Sequence, residues 1–171
     1  MSERHTRIAT LVSGIEDRLK DYCPLLKDVD HSQTTSRAAV EKLIERAVTS
    51  YSLPCAVVIY GPCSWEDSLG DPGGRLRTHN PGILIICKPS AETDAGSEAQ
   101  LWPILDQLDD CFRPLTDATV SPARDENTGR PITIDSCWVT ISAWTPIDAA
   151  DYITAGVLNL VAFDPVTERD A

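Results

Sequence analysis

The side chains with the most chemical potential gather in one stretch, SWEDSLGDPGGRLRTHNPG, from Ser64 to Gly82. It holds four glycines, Glu66, Asp67, Asp71, Arg75, Arg77 and His79, and Cys63 stands just ahead of it. Glycine-rich loops can cradle a phosphate through their backbone N–H groups. Here no GxxxxGK[ST] or GxGxxG spacing occurs, the stretch has no lysine, and Asp67 and Asp71 would repel the anion. Zinc sites declare themselves by close ligand pairs. The histidines His5, His31 and His79 are scattered, no C-x-x-C pair exists, and His79 with Cys63 or Asp71 makes a site only on paper. His79 reads as a solvated loop histidine. A Mg²⁺-dependent nuclease needs an Asp and then Glu-x-Lys on adjacent strands. Lys88 is present, but Ile86 stands where the Glu should be. No G-x-S-x-G elbow occurs. A thiol enzyme would have to use Cys63 with His79, and a carboxylate enzyme Asp67 with Asp71. A catalytic thiol needs an imidazole partner and a lowered pKa, and the sequence offers only nearness along the chain. The expectation is no catalytic residue, no cofactor and no metal.

Trp65, Leu69 and Leu76 remain in this stretch, with Arg75 and Arg77 on either side of Leu76. A loop this polar has no evident need for large apolar groups. Either they fold back over a sheet edge, or they mark a contact surface. On the second reading Trp65, Leu69, Arg75, Leu76 and Arg77 form a subunit interface, the arginines meeting acidic groups of a neighbour. That reading predicts that loop 61–81 is an extended hairpin arm, buries surface between chains and holds no ligand.

The elements that would carry this arm follow from periodicity. Ile8, Leu11, Val12, Ile15, Leu19 and Tyr22 share one helical face, so Thr6 to Cys23 reads as a helix stopped by Pro24. Lys27 to Thr35 reads as a polar link. Ser36 is a plausible N-cap for a second helix to Ser50, with Val40, Leu43, Ile44, Ala47 and Val48 as its stripe. CAVVIY (55–60) and GILIIC (82–87) are short, continuously apolar and β-branched, the pattern of buried strands. No helix separates them, so they should pair antiparallel. Glu98 to Phe112 reads as a third helix with Pro103 in its first turn. Thr116 to Val120 is a candidate short strand, Asp125 to Arg130 a turn cluster, and Ile132 to Trp144 a strand. AGVLNLVAF (155–163) fits a strand or a short helix, and its shortness before Asp164-Pro165 favours strand. Residues 164–171 read as a flexible tail. The sum is one α+β domain over 1–171, an antiparallel or mixed sheet of about four to five strands with helices packed on it.

Composition narrows the function class. The chain has 171 residues and a net charge of -11, which disfavours nucleic-acid binding or a membrane-surface role. No apolar run is long enough to span a bilayer, and MSERHTRIATLV lacks the apolar core of a signal peptide. The expectation is a protein made and kept inside a cell. Of the six cysteines, Cys55, Cys87, Cys111 and Cys137 lie in apolar runs and read as small buried groups, not disulfides.

Four segments taken together resemble the Mu-type phage tail-completion family, generally grouped with tail terminators. They are RIATLVSGIEDRL, AVEKLIERAVTSYSLPCAVVIYGP, RLRTHNPGILIIC and AGSEAQLWPILDQLDDCFRPL. The resemblance runs from about Ile8 to Leu115, with weaker agreement through the Trp138 strand and AGVLNLVAF. It rests on pattern, because the family carries no catalytic signature. The long loop 61–81, the cysteine content and the 117–131 segment depart from it. The resemblance implies a tail-terminator-like structural protein of the virion, made in the host cytoplasm, not an enzyme. It would form a homo-oligomeric ring, a hexamer in the usual case, on the tail tube. The ring would end tube polymerisation and join the tail to the neck or connector protein, with DNA passing through the lumen without specific binding. The alternatives are a small intracellular enzyme with its site in loop 61–81, and a tail-assembly chaperone.

Overall fold

The computed structural model describes residues 7–33, 37–67, 75–88, 94–112, 138–147 and 153–166. In chain order the elements are α1 (Arg7–Tyr22), β1 (Asp28–Ser32), α2 (Arg37–Ser50), β2 (Cys55–Ile59), β3 (Cys63–Asp67), β4 (Arg75–His79), β5 (Gly82–Ile86), α3 (Asp94–Phe112), β6 (Trp138–Ile147) and β7 (Ala155–Val166). The strands form one mixed sheet in an α+β fold, in the order β1-β2-β5-β7-β4-β3, and β6 also pairs with β7. Among the described strands only β1 and β2 are parallel.

The two apolar runs are β2 and β5, buried at every position and paired antiparallel from Cys55↔Ile86 to Ile59↔Gly82. They are buried on both faces because helices cover both. Ala56, Val58, Ile83 and Ile85 meet the α1 stripe of Leu11, Val12, Ile15 and Leu19 and the α3 residues Leu101, Ile104 and Leu108. Val57, Leu84 and Ile86 on the opposite face meet Val40, Ile44 and Ala47 of α2. Burying such aliphatic side chains is worth roughly 1.5–3 kcal/mol each, the main favourable term in the fold.

Among the described residues the sheet has seven strands, beyond the four to five expected, and three unexpected ones, β1, β3 and β4, are polar. β1 lies in the segment that reads as a link. Its sequence, DVDHS, has one apolar residue, Val29, which packs on the α1 side. Its polar side chains are met by protein groups: Asp28 accepts from the Ser52 N–H, Asp30 from the Tyr51 hydroxyl, and His31 bonds Glu16 of α1. β3 and β4 turn the 61–81 connection into a two-stranded ribbon.

Other boundaries moved. α3 begins at Asp94, so Pro103 falls inside the helix and not in its first turn. Proline there removes a bond to the carbonyl of Ala99. Ala99 and Pro103 are both exposed, so water can reach the turn. The strand reading of AGVLNLVAF holds, but β7 continues through Asp164-Pro165 to Val166, into the segment read as tail. The β6 pairing reaches only to Phe163, so among the described residues β7 is paired beyond it on one side alone, where a proline is tolerated. The candidate strand 116–120, the turn cluster 125–130, residues 132–137 with Cys137, and the tail after Val166 lie outside the described residues.

Candidate contact surface on the arm

The arm is held at its root by a close backbone approach. Asn80 donates to the Pro62 carbonyl through its N–H (2.9 Å) and through Nδ2 (3.4 Å). Gly61 faces the other side of this junction: a Cβ there would sit 1.6 Å from the Asn80 carbonyl oxygen. Only glycine fits. The hairpin then changes partner. β5 pairs with Ala155–Asn159 of β7, while β4 pairs with Ala162–Val166 of the same strand. The Leu160 N–H donates to the Pro81 carbonyl at 2.9 Å and bridges the two halves. The long β7 is thus the rail on which the arm is mounted.

Register decides what the arm presents. Trp65 pairs with Arg77, and Cys63 with His79. His79 in turn pairs with Ala162, which belongs to the core under α1 and α3. Alternation puts Cys63, Trp65, Arg77 and His79 on that same face. His79, next to the body, is 1% exposed, which corrects its reading as a solvated loop histidine. Trp65, further out, is 59% exposed. The Arg77 guanidinium lies over the Trp65 ring, 5.6 Å from its centroid, and Arg77 Nε donates to Cys63 Sγ at 3.4 Å. The exposed indole is therefore braced from behind by a cation that is itself anchored. Arg75 and Leu76 are placed in β4 by register, opposite Asp67 and Glu66. Leu69 lies outside the described residues.

The pair that a thiol enzyme would need, Cys63 and His79, is brought together by the ribbon. The Cys63 sulfur, however, takes its hydrogen bond from Arg77, and the imidazole side is sealed into the body. Asp71, required by the carboxylate and metal alternatives, lies outside the described residues. Among the described cysteines Cys63 alone is partly exposed. Burial pushes the Cys55 thiol up to about 12 and Cys87 to about 11. At neutral pH a mild alkylating reagent should label Cys63 well before Cys55 or Cys87, as peptide mapping over a time course would read. Equal rates would contradict the described burial.

A second polar cluster escaped the sequence reading. Ligand-type atoms of Glu16, Asp30 and His31 lie within 4.8 Å of one another. Their spacing could admit a divalent ion, but protein protons already fill it. The Lys20 ammonium sits 2.6 Å from Glu16 Oε1, His31 Nδ1 meets Glu16 Oε2, and Tyr51 donates to Asp30 Oδ2. The cluster is a tie between α1, β1 and the end of α2. The i,i+4 pair Glu16–Lys20 was readable; the rest depends on β1, which was not.

This tie sets a pH dependence. The Tyr51 hydrogen bond, then the His31 N–H and nearby positive charge, hold the Asp30 carboxyl below its ordinary range, against burial. The same bond, with burial, pushes the Tyr51 hydroxyl up. A lowered acid contributes stability above its unfolded pKa and loses it as pH falls through the folded value. A raised tyrosine contributes below its unfolded pKa and loses it as pH rises through the folded value. The contribution is therefore full at neutral pH and fades at both ends. The Asp30 side chain is 44% exposed, so screening leaves about 1 kcal/mol. Tyr51→Phe should lose that much in urea unfolding at pH 7, and the gap to the parent should close in acid. A gap that stays constant to the lowest pH would remove Asp30 from the account.

On the opposite face a groove of about 450 Å³ opens at the arm's root, lined by Val40 and Glu41 of α2, Tyr60, and Thr145, Val157 and Asn159 of β6 and β7. Among the described residues α2 is the helix packed on this face of β2 and β5, and the groove lies beside it. Asn159 Nδ2 donates to Thr145 Oγ1 at 2.9 Å and fixes the polar floor. No helix among the described residues is long and apolar enough to cross a membrane. Compared with known proteins, the chain matches no family model and no curated protein sequence.

Proposed function

We propose that this chain is a structural subunit of a virion, one that closes into a ring on the end of a phage tail tube. The ring ends tube polymerisation and offers its other face to a neck or connector protein. The observation that carries the reading is the arm: a β-ribbon mounted on β7, with Trp65 exposed and braced by Arg77. An aromatic held rigid at a surface loses little conformational freedom on binding, which is what an interface anchor needs. The family resemblance of the four sequence segments supports the same reading.

A ring needs two different surfaces on each subunit, because head-to-tail contacts are heterologous. The arm presents one surface on the α1/α3 face. Among the described residues the outer edges of β1 and β6 have no strand partner, and such edges are natural sites of pairing between chains. Six copies is the number the resemblance implies. The net charge of -11 suits a lumen through which DNA slides without sticking. Electron microscopy of the purified chain tests the proposal: closed rings of one size are expected. Open filaments or isolated subunits at high protein concentration would count against it, and a chain that helps assembly yet is missing from finished particles would be a chaperone.

A small enzyme is the second reading, and the register pairing of Cys63 with His79 is the observation behind it. It requires Cys63→Ala to abolish an activity with the fold intact. The Arg77–Cys63 bond and the burial of His79 favour the structural role.

A further inference from the structure

The arm's indole and the groove at the arm's root lie on opposite faces of one subunit. Trp65 shares its face with His79, whose strand partner Ala162 belongs to the core under α1 and α3. The groove is lined by Val40 and Val157, which belong to the core under α2. An arm mounted on β7 cannot carry its indole round to the other side of the same sheet. Trp65 can reach such a groove only in another copy. That contact is heterologous: the two surfaces differ, and repetition builds a ring when the rotation closes.

The two surfaces match in size, polarity and charge. The groove of about 450 Å³ falls in the range of pockets that seat small ligands, roughly 300–1,000 Å³. Its walls include the aliphatic Val40, Ile59 and Val157. Gly82 keeps the floor open, since a Cβ there would lie 2.6 Å from Val157 Cγ1 and 3.2 Å from Ile59 Cγ1. An indole brings one polar group, its Nε1–H, a donor that needs an acceptor once buried. The floor supplies one. Asn159 Nδ2 donates to the Ala143 carbonyl at 3.3 Å and to Thr145 Oγ1 at 2.9 Å. With both N–H bonds committed to β6, the other polar atom of this side chain is Oδ1, an acceptor. At the rim stands Glu41, exposed on α2. Its charge is opposite to that of Arg77, which lies over the indole, 5.6 Å from its centroid.

We propose that the groove is the seat of the Trp65 arm of a second copy of this chain. The indole lies against Val40 and Val157, its Nε1–H donates to Asn159 Oδ1, and Arg77 comes to rest beside Glu41. Opposite charges at the rim speed the encounter and fix its register, while the buried ring supplies the affinity. The inference rests on the assembly reading above and deepens it by naming both halves of the contact.

Light-scattering mass over a dilution series of the full chain and its variants tests it. Thr145→Trp fills the groove from an exposed position on β6 and leaves the arm untouched. It should weaken association about 30-fold or more, as Trp65→Ala does. Should that variant fail to fold, Glu41→Arg takes its place and should weaken association about threefold to tenfold, the loss shrinking as salt rises. Equal amounts of the Trp65→Ala and Thr145→Trp chains should pair, since one keeps an open groove and the other an intact arm. At the concentration that assembles the parent, the mixture should hold a two-chain species and go no further, while each variant alone stays at 18.7 kDa. A folded Thr145→Trp chain, or Glu41→Arg in its place, that assembles as the parent does overturns the seat and leaves the ring reading standing. So does a mixture in which no two-chain species forms. A parent chain that never associates ends both.

Discussion

Gly61→Ala should be strongly damaging, more so than a methyl group added at Gly82 or Gly156. The added Cβ would lie 1.6 Å from the Asn80 carbonyl oxygen and 2.6 Å from its carbon. These are backbone atoms, so no rotamer change relieves the clash. The chain has to separate Gly61 from Asn80, and that breaks the Asn80–Pro62 bonds at the base of the arm. A cost of at least about 3 kcal/mol in urea unfolding is expected, at the upper end of overpacking effects. Assembly should suffer further, because β4 can no longer meet β7 in register and Trp65 is re-aimed. Pro62→Ala makes the comparison. It keeps the carbonyl that Asn80 uses, and the proline is exposed, so its cost should stay below about 1 kcal/mol. If the two variants melt together, the close approach at Gly61 is not what sets the arm.

Trp65→Ala should show the opposite profile. The side chain is 59% exposed, so the monomer should unfold within about 0.5 kcal/mol of the parent. Association between copies should weaken about 30-fold or more, the effect of losing an anchor worth roughly 2 kcal/mol. Arg77→Ala should give a smaller loss of the same kind, since it leaves the indole in place but unbraced, forfeiting about 0.5–1 kcal/mol of cation–π interaction. Sedimentation across a dilution series reads both. A Trp65→Ala chain that assembles as the parent does would return the residue to the bland reading, an indole lying over a sheet edge.

What could be read from sequence, and what could not, divides along a physical line. Elements whose apolar groups face a core were visible: α1 and α2 end within a residue of their expected bounds, because the stripe marks the face and Pro24 the stop. The β2–β5 pairing followed from two short buried runs with no helix between them. Elements satisfied by polar partners were hidden. β1 has Val29 alone to announce it, and its carboxylates are satisfied by Tyr51 and Ser52, residues twenty or so positions away. β3 and β4 read as loop because CSWED and RLRTH have few apolar residues and flank glycines. Their strand state comes from β7, whose length past Asp164-Pro165 the local pattern contradicts.

The candidate site was legible as a place and not as an arrangement. Trp65 stood out as a large apolar group that a polar loop does not need, and Arg77 as one of two arginines flanking Leu76. That they stack, and that Cys63 and not solvent receives the Arg77 N–H, depends on the β3–β4 register. His79 was misread for the same reason: one residue's shift in register decides between solvent and core.

The central claim is that the arm joins copies of this chain. The most direct measurement is the mass of the purified parent protein by multi-angle light scattering over a concentration series. The account predicts one discrete species at a fixed multiple of 18.7 kDa, with no larger aggregate as concentration rises. A mass of 18.7 kDa at every concentration would contradict it.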